Sequence, residues 1–210
     1  MAERNVPDRD EARRRYRGLA AVYDRRIRFI APIRRRVIDL LYLQPGNHVL
    51  DMGCGTGASF AALREAVGAT GRLTGVELSE EMAAVARRQI DHQGWDNVEV
   101  VVGDATVVPL PTDVDAVFLV HDLTRLPRAV ERAVAAGRPG ARVVAFGAVC
   151  ATGPLALPVN VIVKTIARRY VTTFEGFDAP WSHLAAQIPG LRVRRALAGG
   201  VYIATGHIDR

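Results

Sequence analysis

The 210-residue chain is 49% hydrophobic and 6% aromatic, which excludes a disordered polymer and suffices for one domain with a sizeable core. Its formal net charge of +6 is unevenly placed: residues 1–36 hold twelve arginines against five acids, and the rest is balanced to within one charge. The excess is therefore local to the N-terminus, either a solvated helix face or a surface for anionic partners such as lipid headgroups, nucleic acid or an acidic carrier protein. The longest apolar candidate, residues 154–167, is too short for a membrane span and carries Asn160 and Lys164. The start MAERNVPDRDEARRR lacks the apolar stretch of a signal peptide, so a cytoplasmic protein is expected. Cys54 and Cys150 form neither a disulfide framework nor metal-ligand spacing and read as reduced thiols.

In chain order, apolar residues from Leu19 to Leu40 recur at three- and four-residue steps with arginines between them. Pro32 opens a second helix there, so two basic helices are expected. The turn QPGN (44–47) leads into an alternation: strand 48–52, helix 57–67, strand 72–77, helix 80–92, strand 98–103. Strand 115–120, helix 126–137 and strand 141–147 follow. Such alternation means right-handed crossovers and a parallel, doubly wound α/β sheet. Residues 150–179 break the rhythm and read as irregular, partly apolar chain. PWSHLAAQI then reads as helical, and LRVRRALA and VYIATGHI, separated by Gly199–Gly200, read as a terminal hairpin. One domain is expected, with basic helices over 1–43, a cofactor-binding core over 44–149, and an acceptor wall with the hairpin over 150–210.

The most informative stretch is VLDMGCGTG, residues 49–57. A glycine loop after the first strand of an open α/β sheet lets backbone approach a ligand closely. Gly53, Gly55 and Gly57 give G-x-G-x-G, one residue shorter than the dinucleotide fingerprint. Asp51 at the strand end would repel a pyrophosphate and attract a cation. The ligand implied has positive charge near the loop and no phosphates, a description that S-adenosylmethionine (SAM) fits.

VLDMGCGTG resembles the first motif of class I SAM-dependent methyltransferases, and further motifs follow in order over residues 15–147. The resemblance implies a Rossmann-like, doubly wound seven-stranded sheet of order 3-2-1-4-5-7-6, its seventh strand antiparallel, with an N-terminal helical extension. In LTGVELS it implies that Glu77 binds both ribose hydroxyls, and that Leu78 and Met82 sandwich the adenine. VVVGDATVVPLP places Asp104 at the adenine amine and Ala105 against the ring. DVDAVFLVHDL places His121 beside the methionine portion and the methyl group. LAAVYDRR is similar to the N-terminal segment of quinone- and lipid-type methyltransferases, where a tyrosine closes over the cofactor; here that is Tyr23, with Tyr16 nearby.

Methyl transfer from a sulfonium is an in-line displacement, so the protein's main task is alignment in a water-poor pocket. A general base is needed only where the acceptor must lose a proton. His121 is the first candidate, followed by Asp122, Tyr16 and Tyr23; no metal site is expected. HDLT after the fourth strand lacks the prolines of amino-methylating DNA and protein enzymes, so no DNA partner is expected. Cys54 is wrongly placed for cytosine C5 chemistry, and Cys150 reads as a small apolar filler. Phe174, Phe177 and Trp181 beside an apolar segment suggest a pocket for a hydrophobic acceptor. The tail loosely resembles bacterial phosphatidylethanolamine methyltransferases. A small-molecule or lipid methyltransferase is therefore expected, with peripheral contact to anionic membrane through Arg13–Arg14–Arg15, Arg25–Arg26 and Arg34–Arg35–Arg36. Two alternatives stay open: an RNA methyltransferase, and a family member that binds SAM without transferring a methyl.

Overall fold

A computed structural model describes Glu11 and residues 30–154, 156–168, 171 and 173–209, with only the backbone described for His121. The described chain begins with helix α1 (Ala31–Asp39), and Pro32 stands in its first turn as expected. The first expected basic helix, apart from Glu11, lies outside the described residues. Then come β1 (His48–Met52), α2 (Phe60–Val67), β2 (Arg72–Glu77), α3 (Glu80–Gln93), β3 (Val98–Val102) and β4 (Val114–Val120). A 3-10 helix (His121–Arg125) joins β4 to α4 (Pro127–Ala136), which leads directly into β5 (Gly137–Ala148). Helices α5 (Ala156–Ala167) and α6 (Ser182–Gln187) and the hairpin β6 (Arg192–Ala196)–β7 (Val201–His207) complete it.

The strands form one seven-stranded sheet in the order 3-2-1-4-5-7-6. Strands 1 to 5 pair in parallel, and β7 runs antiparallel between β5 and β6. This is the Rossmann-like fold that the motifs implied. Both faces are covered, which is why the central strands are continuously apolar and do not alternate with polar residues. Val49, Phe118, Val144 and Phe146 pack with α1, α2 and α3 on one face, while Leu50, Met52, Val117 and Leu119 pack with α4 and α6 on the other. Because side chains alternate with a period of two, Asp51 falls on the same face as Val49, the side closed by α1 and α2. The order reverses between β1 and β4, so the switch point lies beyond the carboxyl ends of these two strands.

Three expectations are corrected. Helix 57–67 starts later, at Phe60, because Gly57 holds a left-handed φ of 79° that no helix accommodates. The fifth strand starts earlier, at Gly137, with a register shift against β4. The chain after it is not irregular throughout: residues 156–167 are helical. Pro158 stands in the first turn of that helix, where no intrahelical N–H bond is lost. Asn160 clamps the helix to the end of β5, its Oδ1 accepting from the Ala151 N–H at 2.6 Å and its Nδ2 donating to the Ala151 carbonyl at 3.1 Å.

Candidate active site

The loop after β1 is built by main-chain bonds to the neighbouring strand. The Gly53 and Cys54 N–H groups both donate to the Val76 carbonyl, at 2.9 and 3.1 Å. This folds the loop back over the end of β2. Cys54 packs into the space left by Gly75, where a Cβ would lie 2.8 Å from the thiol sulfur. Burial pushes the Cys54 thiol well up, so it stays protonated and acts as packing. Gly55 takes a φ of 59°, which costs an L side chain about 1–2 kcal/mol, and its N–H donates to Glu77 Oε2 at 2.9 Å. Among the described residues a Cβ there would meet only the Met82 methyl, at 3.7 Å. At Gly57 a Cβ would lie 2.7 Å from the Phe60 ring.

Glu77 closes the other side. Its Oε1 accepts from the Ser79 N–H at 2.8 Å, so two backbone donors hold the carboxylate in one orientation. A carboxylate oxygen accepts more than one hydrogen bond, so a ligand hydroxyl can share it. Burial raises its pKa, and the backbone bonds from Ser79 and Gly55 oppose the shift. Ser79 caps α3 by accepting from the Met82 N–H at 3.3 Å, which fixes Leu78 and Met82 beside the acid. The Gly103 N–H donates to the Glu77 carbonyl at 2.8 Å, placing Asp104 next to it. Asp104 Oδ1 accepts from the Thr106 N–H and hydroxyl, at 2.9 and 2.8 Å. Arg132 on α4 donates to the Ala105 and Val108 carbonyls, at 3.1 and 2.6 Å, and so holds this loop from beneath.

Asp51 is the site's least satisfied group. It is fully buried, and neither carboxylate oxygen meets a hydrogen-bond partner among the described residues. Burial pushes its pKa up to about 7, the Arg34 charge pulls it down, and the nearby Glu77 charge pushes it further up. Arg34, only 6% exposed, was assigned by sequence to a membrane-facing cluster; that assignment is corrected, because it is buried on the face of α1 turned towards Asp51. The signal was present: Arg34 lies three and four residues before Val37 and Ile38, on the inward stripe of α1. Arg35 instead pairs with Glu65 at the surface, at 2.7 Å, and Arg36 is exposed. Tyr16, Tyr23, Arg13–Arg15 and Arg25–Arg26 lie outside the described residues.

The third side is the 3-10 helix after β4. His121 opens it, and its side chain lies outside what is described. A Cβ on Gly53 would lie 2.9 Å from Leu123, so this helix abuts the glycine loop. Asp122, a candidate base, accepts from Arg125 at 2.7 Å. Arg125, missed in sequence, also donates to the Thr173 and Glu175 carbonyls, at 2.9 and 2.7 Å, and lies over the Phe177 ring. The three aromatic residues expected to line one pocket are separated. Phe174 and Phe177 pack edge to face at 5.1 Å in a cluster with Val163 and Ala167 of α5, whereas Trp181 packs against Tyr202 at 5.3 Å on the main core.

Fold and site together define the class: a Rossmann-like methyltransferase fold with a glycine loop and three acids at its switch-point edge. Residues 49–140, somewhat under half of the chain, match the family model described as "Methyltransferase domain". It is 33% identical to an aklanonic acid methyltransferase of Streptomyces sp. (strain C5), over 53% of this chain and 51% of that protein. It is equally identical to a demethylmenaquinone methyltransferase of Staphylococcus aureus, over 50% of this chain and 45% of that protein. The matches thus span about half the length of these curated relatives. A SAM-dependent methyltransferase from Aquifex aeolicus shares the fold, with a TM-score of 0.58, 22% identity, and 83% of this chain and 89% of that one covered. SAM is the cofactor these likenesses imply, and the residues fit it: the buried Asp51 carboxylate, without a hydrogen-bond partner among the described residues, suits a cation.

Proposed function

We propose that the protein is a SAM-dependent methyltransferase acting on a hydrophobic small molecule or lipid. The observation that carries this reading is Asp51, a buried carboxylate with no hydrogen-bond partner among the described residues, at the edge where Glu77 and the glycine loop meet. A cationic nucleoside brings positive charge for Asp51 beyond that of Arg34, and hydroxyls for Glu77. In this reading Asp51 faces the charged end of the cofactor and Glu77 takes the ribose hydroxyls. Gly53, Gly55 and Gly57 allow the close approach, Leu78, Met82 and Ala105 flank the adenine, and Asp104 accepts from its amine. Tyr23 and His121 lie along the methionine portion.

SAM supplies an activated methyl group on sulfur. The chain's own work is to bind it, align the acceptor and exclude water. His121 and Tyr16 are the groups proposed to take a proton where the acceptor must lose one. Asp122 is less suited, because Arg125 already occupies its Oδ1 at 2.7 Å. Phe174 and Phe177 are proposed to line the acceptor side. The relatives' names, an aklanonic acid methyltransferase and a demethylmenaquinone methyltransferase, support a hydrophobic acceptor. No described helix is long and apolar enough to cross a membrane, and a cytoplasmic protein that meets membranes peripherally is proposed.

Incubation with methyl-labelled SAM and a metabolite and lipid extract tests this reading. Label is expected in an extractable hydrophobic product. Tight SAM binding with no labelled product supports the non-methylating alternative, and label in RNA supports the other.

A further inference from the structure

We propose that the exposed face of α5 is a docking surface for an anionic lipid bilayer. The helix is apolar along most of its length, yet among its residues only Ala167 is buried. Leu157 is 78% exposed, Val161 and Ile162 each 59%, and Ile166 47%. Its inner face is fixed: Val159 and Val163 pack against the β6–β7 turn, 3.1 and 2.9 Å from where a Gly200 Cβ would stand, and Asn160 clamps Ala151. The outer face therefore has a set direction. Residues four apart share a face, so Leu157 and Val161 line up with Lys164 and Arg168, both exposed.

The charge pattern selects the partner. From Val149 to Phe174 there is no acidic residue, and Lys164, Arg168 and Arg169 supply the only charges. An apolar stripe ending in cations matches an interface of acyl chains beneath anionic headgroups, with the long cationic stems reaching up to the phosphates. A second copy of the chain suits it less, since this segment has no carboxylate to meet a partner's cations. The helix leaves the carboxyl end of β5, the same sheet edge on which the candidate active site opens. Docking would turn that edge towards the source of an oily acceptor. The inference does not need methyl transfer, because binding is read without cofactor or acceptor.

Flotation of the full chain with vesicles of mixed phosphatidylglycerol and phosphatidylcholine, against phosphatidylcholine alone, tests it. Binding is expected to the anionic vesicles only and to fall with salt. Leu157→Asp and Val161→Asp are each expected to weaken it about tenfold, as loss of one buried aliphatic contact does. Lys164→Glu is expected to erase the preference for anionic lipid. All three sites are at the surface, so an unchanged melting temperature and SAM affinity certify the fold. Absence of vesicle binding, equal binding to neutral vesicles, or undiminished binding of the variants through the N-terminal arginines would overturn the proposal. So would dimerisation of the wild type that the Asp variants abolish.

Discussion

At the ends of β1 and β2 the chain is tied by its own backbone. The N–H groups of Gly53, Cys54, Gly55 and Ser79 all end on Val76 or Glu77. Beyond β5 a larger share of the holding falls to side chains: Asn160 clamps Ala151, Arg125 reaches the Thr173 and Glu175 carbonyls, and Arg195 reaches those of Cys150 and Asp178. Main-chain ties demand glycines at fixed spacing and leave little room for change. Side-chain ties let the loops they hold be reshaped one residue at a time. The first region suits a constant cofactor and the second a variable acceptor.

The sharpest way to break this contrast is at Glu77. Glu77→Ala removes the acceptor of two backbone donors, and SAM affinity is expected to fall about a hundredfold or more in titration calorimetry. A loss under threefold would mean that the acid serves only the loop.

Asp51 gives a pH signature. A free carboxyl ionises near 3.8, whereas Asp51 holds its proton to about 7. Between these values the folded apo protein binds more protons than the unfolded chain, so its stability falls as pH rises across that window. A cationic ligand draws out the ionised form, so SAM affinity is expected to rise with pH and level off above about 7. Asp51→Asn should remove that pH dependence and weaken binding at pH 8 about tenfold, measured by titration across pH 5.5–8.5. The variant's apo melting temperature should decline less steeply with pH, the remainder coming from Glu77, whose pKa burial also raises.

On the acceptor side, Arg125→Met frees the 173–177 loop. Acceptor KM is expected to rise about tenfold while SAM affinity stays within twofold, a split that a general loss of folding would not produce. A smaller effect is expected at Tyr202, whose buried hydroxyl pairs with Thr124 at 2.8 Å. Tyr202→Phe should cost about 1 kcal/mol, or about 2–4 °C in melting temperature by calorimetry. Glu65→Ala, which breaks only the exposed pair with Arg35, should leave the melting temperature unchanged.

The same contrast decides what could be read in advance. Strands β1 and β2 were placed to the residue, because backbone geometry there enforces glycine and an acid at set positions. Helix α5 was not. Its run of Val159, Val161, Ile162 and Val163 is β-branched, its apolar residues go round the whole helix, and Pro158 sits near its start. Propensity and periodicity gave no helical signal, and the Asn160 clamp that holds the helix joins groups nine residues apart. Arg34 was misread for a different reason: its spacing from Val37 and Ile38 pointed inward, but it was grouped with its exposed neighbours Arg35 and Arg36 by charge alone. Arg125 carried only the three-residue spacing from Asp122, since its carbonyl partners lie about fifty residues away.

The position of β7 bears on how the molecule is made. The last strand in sequence is wedged between β5 and β6, with seven residue pairs along β5 from Arg142 to Ala148. On a ribosome, β5 therefore waits with one edge bare until residues 201–207 have emerged, and an unpaired apolar strand edge invites pairing with other chains. A nascent chain stopped short of Val201 would carry nearly every group of the cofactor site and still be the form most prone to aggregate.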